Sequence, residues 1–400
     1  MRILFINQYF PPDASASAYL LGELAEDLAQ HHEVVVIAGR PSYSPGSSTY
    51  RPKGVFLRYC WSTALSRASM IGRLANYASF IIGAFLRALT VGKPDVVVAM
   101  TDPPAIGLVG LSAARRYRVP FVYVCQDIFP DVAVALGKLT TGSLVSAWRT
   151  LNGVVRIGAT RIVVIGRDME QKLIGEGVEP GKLALIRNWG FAAVTEPVEA
   201  AARRAKQGWA ERFIVMHAGN LGLAQNPSVL VDAAAVIRVR VPEMLLVFVG
   251  DGASRIPLER RVKREGLENV VFLPYRPKDE AQLLMGTADI HVVSLARGLW
   301  GCVAPSKVYG IMAAGRPFIA AVEDGSEPAL LADEHGCGIA VEPDDANALA
   351  NAIERARSLP LDDMGRRGRE AFERLYDRPI GTEAYRALLE DVVHGRERGR

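Results

Sequence analysis

Short, largely apolar runs recur along this chain at intervals that a helix would fill, and many stop abruptly in glycine, proline, asparagine or glutamine. Arg2–Asn7 reads as a strand, the loop Gln8–Ser17 opens into a helix over Ala18–Gln30, and Val34–Ala38 is the next strand. Runs this short and this continuously apolar suit strands buried on both faces, so the order strand, loop, helix, strand calls for a parallel sheet with right-handed crossovers. Asp95–Met100, Phe121–Cys125, Arg161–Ile165 and Leu183–Ile186 continue the pattern. The stretch 191–206, rich in Ala, Glu and Arg, lacks an apolar stripe and reads as a linker. The pattern then restarts at Phe213–His217 and runs through Leu245–Val249, Val270–Leu273, Ile290–Ser294, Phe318–Val322 and Gly338–Val341. The chain is therefore predicted to be α/β, with two Rossmann-like, doubly wound domains facing across a cleft. The expected divisions are 1–195, 205–375 and a terminal helical segment, 376–400.

Four hundred residues exceed what one core usually holds, and a half-hydrophobic composition with 22% charged residues supplies two buried sheets. A net charge of +4 is too weak to imply nucleic acid. Cys60, Cys125, Cys302 and Cys337 form no pair at metal-ligand spacing, and Arg2–Ile6 is too short for the apolar core of a signal peptide. A cytoplasmic protein with reduced thiols is expected. The apolar segment 69–89 has only thirteen uncharged residues between Arg73 and Arg87, too few to cross a bilayer. Two fates remain for 67–89: a helix packed on the sheet, or an interfacial helix in peripheral contact with the membrane.

In such sheets ligands gather where loops leave the carboxyl ends of strands. Asp13, Ser15 and Ser17 lie in the first such loop, Asp102 follows the strand 95–100, and Gln126 and Asp127 follow Phe121–Cys125. In the second half, Ala304–Pro317 reads Ala-Pro-Ser-Lys-Val-Tyr-Gly-Ile-Met-Ala-Ala-Gly-Arg-Pro: a short helix over Val308–Ala314, capped by Ser306 and led by Lys307. A helix start of this kind turns free N–H groups and a lysine toward an anion. The alternative is an ordinary capped helix leading into a core strand.

This Pro-Ser-Lys turn with its Ala-Ala-Gly-Arg-Pro ending resembles the nucleotide-sugar-binding segment of family 4 glycosyltransferases, in particular the bacterial branch that builds O-antigen, capsule and exopolysaccharide. The resemblance runs from Phe10-Pro11-Pro12 to the last helices. It implies the GT-B fold, a C-terminal helix crossing back to the first domain, and retaining, metal-independent transfer from a UDP-sugar, of N-acetylhexosamine type, to a saccharide or lipid-linked saccharide. No cofactor beyond the donor is implied.

The departures from the family pattern are specific. Its Gly-Arg-Leu turn with a later Lys falls here on Gly219, Asn220, Leu221 and Gln225, and its paired glutamates fall on Cys302 and Gly310. Lys307 is then the expected diphosphate cation, helped by the amides of 303–306 and of the Gly219–Gly222 turn. Glu327 is the candidate for the ribose hydroxyls, and Arg297 and Trp300 for the sugar. Gln126 stands where the family often has a His, and Asp127 is the candidate to orient or deprotonate the acceptor, with Asp102 a weaker one. His217 and His291 read as structural. A UDP-N-acetylglucosamine 2-epimerase-like enzyme and a non-catalytic nucleotide-sugar-binding protein are the alternatives.

Overall fold

The computed structural model describes the chain except residues 14, 42–49, 64, 66–69, 191–195, 277 and 399–400. It forms two compact units. Residues 1–130, 139–187 and 381–400 make the first, and residues 131–138 and 188–380 the second.

The first unit is built on seven parallel strands: β1 (Arg2–Ile6), β2 (Glu33–Gly39), β3 (Val55–Cys60), β4 (Val96–Ala99), β5 (Phe121–Cys125), β6 (Arg161–Val164) and β7 (Leu183–Leu185), in the order β3-β2-β1-β4-β5-β6-β7. Leu4 stands opposite Val35 on one side and Val97 on the other, so the central strand is buried by its neighbours as well as by helices. β3 is the strand the apolar pattern does not reveal. It is an edge strand in which Phe56, Arg58 and Tyr59 stay exposed, so it never becomes a continuous apolar run. The helix Arg378–Arg398 carries Pro379 in its first turn, where a missing N–H costs nothing. Its residues from 381 on belong to the first unit, where Glu390 lies 3.2 Å from His32 and Asp391 3.5 Å from Arg161.

The second unit carries six parallel strands: β8 (Phe213–Ala218), β9 (Met244–Val249), β10 (Val270–Leu273), β11 (Ile290–Ser294), β12 (Phe318–Ala321) and β13 (Gly338–Val341), in the order β10-β9-β8-β11-β12-β13. In both sheets the order reverses beside the first strand of the unit, which places the loops after β1 and β4, and those after β8 and β11, at the switch points. The expected linker is corrected in part. Residues 191–195 lie outside the described set, but Pro197–Lys206 is a helix of the second unit. Its apolar stripe is narrow because an ion pair holds it: Arg204 meets Asp289 at 2.9 Å, and the same carboxylate accepts from the Ile214 N–H at 2.6 Å.

Candidate active site

In the second unit, the site is set by how closely the ends of β8 and β9 approach. Gly219 and Gly250 have φ of 122° and 139°, and a Cβ on Gly250 would fall 2.1 Å from the Gly219 carbonyl oxygen. Only glycine fits there. The Gly219 N–H donates to Val249 O and the Leu221 N–H to Asp251 O, both at 2.8 Å. Two of the turn amides expected to meet a phosphate are therefore already engaged. Asn220 Nδ2 and Gln225 Oε1 each lie 2.8 Å from where a Cβ on Gly222 would sit, so two neutral amides flank the turn at the places of the missing cations.

The cation comes from another element. Lys307 opens the helix Lys307–Ala313, and its side chain reaches back until Nζ is 3.8 Å from the Cβ position of Gly219 and 3.0 Å from Nε2 of His217. His217 ends the buried part of β8 and has no solvent exposure. Burial first, and then the nearby lysine, hold its pKa well below the usual histidine value, while burial pushes Lys307 down to about 7. His217 is thus neutral, and its Nε2 can accept from the Lys307 ammonium. The full positive charge expected of Lys307 is corrected to a partial one near pH 7. An anion beside Nζ would restore it. Ser306 holds the N-cap position, but its side chain makes no capping bond there.

His217→Leu would remove the neutral acceptor from Nζ and make the ammonium easier to deprotonate. The expected loss in kcat/KM is about tenfold at pH 8 and smaller at pH 6. Steady-state rates across pH check this, and an equal loss at both values would take His217 out of the mechanism.

Glu327 is buried in the first turn of the helix Glu327–His335, just beyond Gly325, whose Cβ position lies 3.6 Å from the Trp300 indole nitrogen. The Glu323 carboxylate ties this loop down by accepting from the N–H groups of Gly298 and Trp300 at 2.9 and 3.0 Å. Arg297 is held elsewhere: its guanidinium meets Glu342 at 3.0 Å and its N–H donates to Asp344. Cys302 and Gly310 are buried, and Gln282 Nε2 stands 3.5 Å from the Cβ position of Gly310. Gln282 is itself buried, with no hydrogen bond to Oε1 among the described residues. Its only sequence signal is an amide among the apolar residues of the helix Lys278–Met285. His291 keeps a structural bond, Nε2 to Met285 O at 2.9 Å.

In the first unit, the strand-end loops bring most of the expected residues to one edge. Thr101 Oγ1 accepts from the N–H groups of Gln126 and Asp127 at 3.1 and 3.3 Å, joining the ends of β4 and β5. Ser17 donates to Asp102 at 2.7 Å, and Ser15 caps the helix Ala16–Leu28 by accepting from the Ala18 N–H. Asp13 is buried in the same loop. Burial, and after it the Asp102 charge, push the Asp127 carboxyl up to about 7. Asp127 lines a small hollow together with Phe129, Trp148, Asn152 and Arg156. The rings of Phe129 and Trp148 stack at 6.4 Å and form an apolar wall beside these polar groups. The wall residues on the helix Ser143–Gly158 were illegible in the sequence because they lie far from any strand end. Among the described residues, no three His, Cys, Asp or Glu side chains gather as a metal site.

Two family models match, one in each half: the Glycosyl transferase 4-like domain over residues 16–189 and Glycosyl transferases group 1 over residues 200–371. WcaI of Escherichia coli (strain K12), named as a colanic acid biosynthesis glycosyl transferase, is 28% identical over 417 residues, covering 98% of this chain and 100% of its own. WbjE of Pseudomonas aeruginosa, named as a glycosyltransferase, is 28% identical over 306 residues, 75% of this chain and 76% of its own. Among solved structures, Anabaena Alr3699/HepE in complex with UDP superimposes with a TM-score of 0.73 at 19% identity, covering 98% of this chain and 100% of that one.

Proposed function

Because the chain belongs to the family 4 type of GT-B glycosyltransferases of bacterial polysaccharide biosynthesis, we propose that it uses a UDP-sugar of N-acetylhexosamine type, retains anomeric configuration and needs no metal. The acceptor in this reading is a saccharide or a lipid-linked saccharide. One observation carries it: Lys307, held by His217, lies against the glycine turn at the switch point of the second sheet.

Transfer breaks the bond from the anomeric carbon to the diphosphate oxygen and forms one to the acceptor hydroxyl oxygen. Negative charge develops on the leaving diphosphate, so a preorganised ammonium in a partly dry site contributes most. The Asn220 and Gln225 amides supply neutral polarity without competing for the proton. Asp127 takes the acceptor proton, a role that a carboxylate titrating near neutrality performs well. A uracil base is favoured by the fold shared with a protein crystallised with UDP.

Thermal shift against UDP- and GDP-sugars tests the donor, since a ligand at 100 times its Kd stabilises by about 2.7 kcal/mol. UDP-N-acetylhexosamines are expected to raise the melting temperature most, and turnover is expected to survive EDTA with the product anomer unchanged. A shift with GDP-sugars alone, or loss of turnover in EDTA, would defeat the reading.

A further inference from the structure

The helix Met70–Ala88 is turned inside out. Its inward side is small or polar: Asn76, Ser79, Ala84 and Ala88 are buried, with Phe80 the one large apolar residue among them. Its outward side carries Ile71, Leu74, Ile82 and Leu86, between 58% and 78% exposed, at helical spacing along its whole length. A helix placed only to fill a core would show the opposite pattern. The inward polar groups have work of their own. Asn76 accepts from Thr63 Oγ1 and the Leu65 N–H and donates to Leu65 O, all within 2.9 Å, and Ser79 accepts from the Thr63 N–H.

Those bonds fasten the segment after β3 against the helix and so extend its apolar face. Gly83 lets the Trp61 backbone come close, since a Cβ there would lie 2.4 Å from Trp61 O, and the Trp61 side chain is 64% exposed. Arg87 reaches Tyr59 O at 3.3 Å. Charge is sorted in the same place. Residues 34–94 contain eight lysines and arginines and no aspartate or glutamate, in a chain whose overall charge is only +4. Arg58, Arg73 and Arg87 are exposed at this face.

We infer that this face, the helix Met70–Ala88 with Trp61 and the flanking arginines, docks the protein on an anionic lipid bilayer. An outward apolar stripe, an exposed tryptophan and arginines without acidic neighbours in sequence match an interfacial helix lying in the headgroup plane. It does not span: no described helix is long and apolar enough to cross a membrane. Residues 66–69, at the start of the expected segment, lie outside the described set. The inference is independent of the donor chemistry, because its readout needs no turnover.

The test is co-sedimentation of the full chain with vesicles of phosphatidylcholine alone or with about one-third phosphatidylglycerol. Binding to the anionic vesicles only is expected, with release as added salt shortens the Debye length. Arg73→Gln with Arg87→Gln should lower the partition coefficient about 30-fold. Leu74→Glu with Ile82→Glu should lower it more than tenfold while leaving turnover of a water-soluble acceptor unchanged. Equal binding to both vesicles, or to neither, overturns the inference with the wild-type chain alone. A dimer in gel filtration that Leu74→Glu with Ile82→Glu splits would overturn it too, assigning the face to a second copy of the chain.

Discussion

Lys307→Ala is expected to lower kcat/KM by about 10²- to 10³-fold, the usual effect of removing one preorganised group that stabilises a developing anion. Part of the loss should appear in donor KM, because the ammonium meets the diphosphate before as well as during bond breaking. The same residue makes an opposite prediction for stability. Its folded pKa, about 7, lies below the usual lysine value of 10.5. Its contribution is therefore present above the unfolded value and is lost as pH falls through 7. Lys307→Met should then raise stability by about 1–2 kcal/mol at pH 6, after allowance for partial solvent contact, and by almost nothing above about pH 10.5. Activity falling while stability rises at pH 6 would mark a group held charged for function. Unchanged kinetics would remove Lys307 from the mechanism, whatever the melting curves show.

Asp127→Asn is expected to cost about 10²- to 10⁴-fold in kcat with little change in donor KM, as loss of a general base does. The wild-type kcat/KM profile should be a narrow bell near neutrality, because Asp127 must be ionised and Lys307 protonated, and both titrate at about 7. In kcat the alkaline limb should move up, since the bound diphosphate restores the charge on Lys307. Asp127→Asn should abolish the acid limb. The stability sign runs opposite to that of Lys307: a raised carboxyl pKa contributes stability below about pH 4, lost as pH rises through 7, so Asp127→Asn should melt higher at pH 8. An acid limb that persists in Asp127→Asn would assign it to another group.

The sequence carried the sheets because burial on both faces leaves an unbroken apolar run, as in Val34–Ala38 and Leu245–Val249, each a little shorter than the strand it marks. It missed β3, half of whose side chains face solvent, and the helix Pro197–Lys206, where an ion pair takes the place of a wide apolar stripe. The site was legible as a set of strand-end loops, and the structure brings Ser17, Asp102, Asp127 and Gln126 to one edge. It was illegible as a network. His217 reads as a core histidine until Lys307, ninety residues later, is found on its ring nitrogen.

Local order was the sequence's own to decide: which segments become strands, where glycine must open a turn, and that a lysine begins the helix at the switch point. Those features depend on period and backbone freedom, which a few consecutive residues settle. Only tertiary structure decided which polar groups meet and what charge they carry. Register and crossover set those distances, and burial then moves the Lys307 and Asp127 titrations toward neutrality. It also decided which side of the helix Met70–Ala88 faces outward, because an apolar stripe is the same string of letters whether it is covered or exposed.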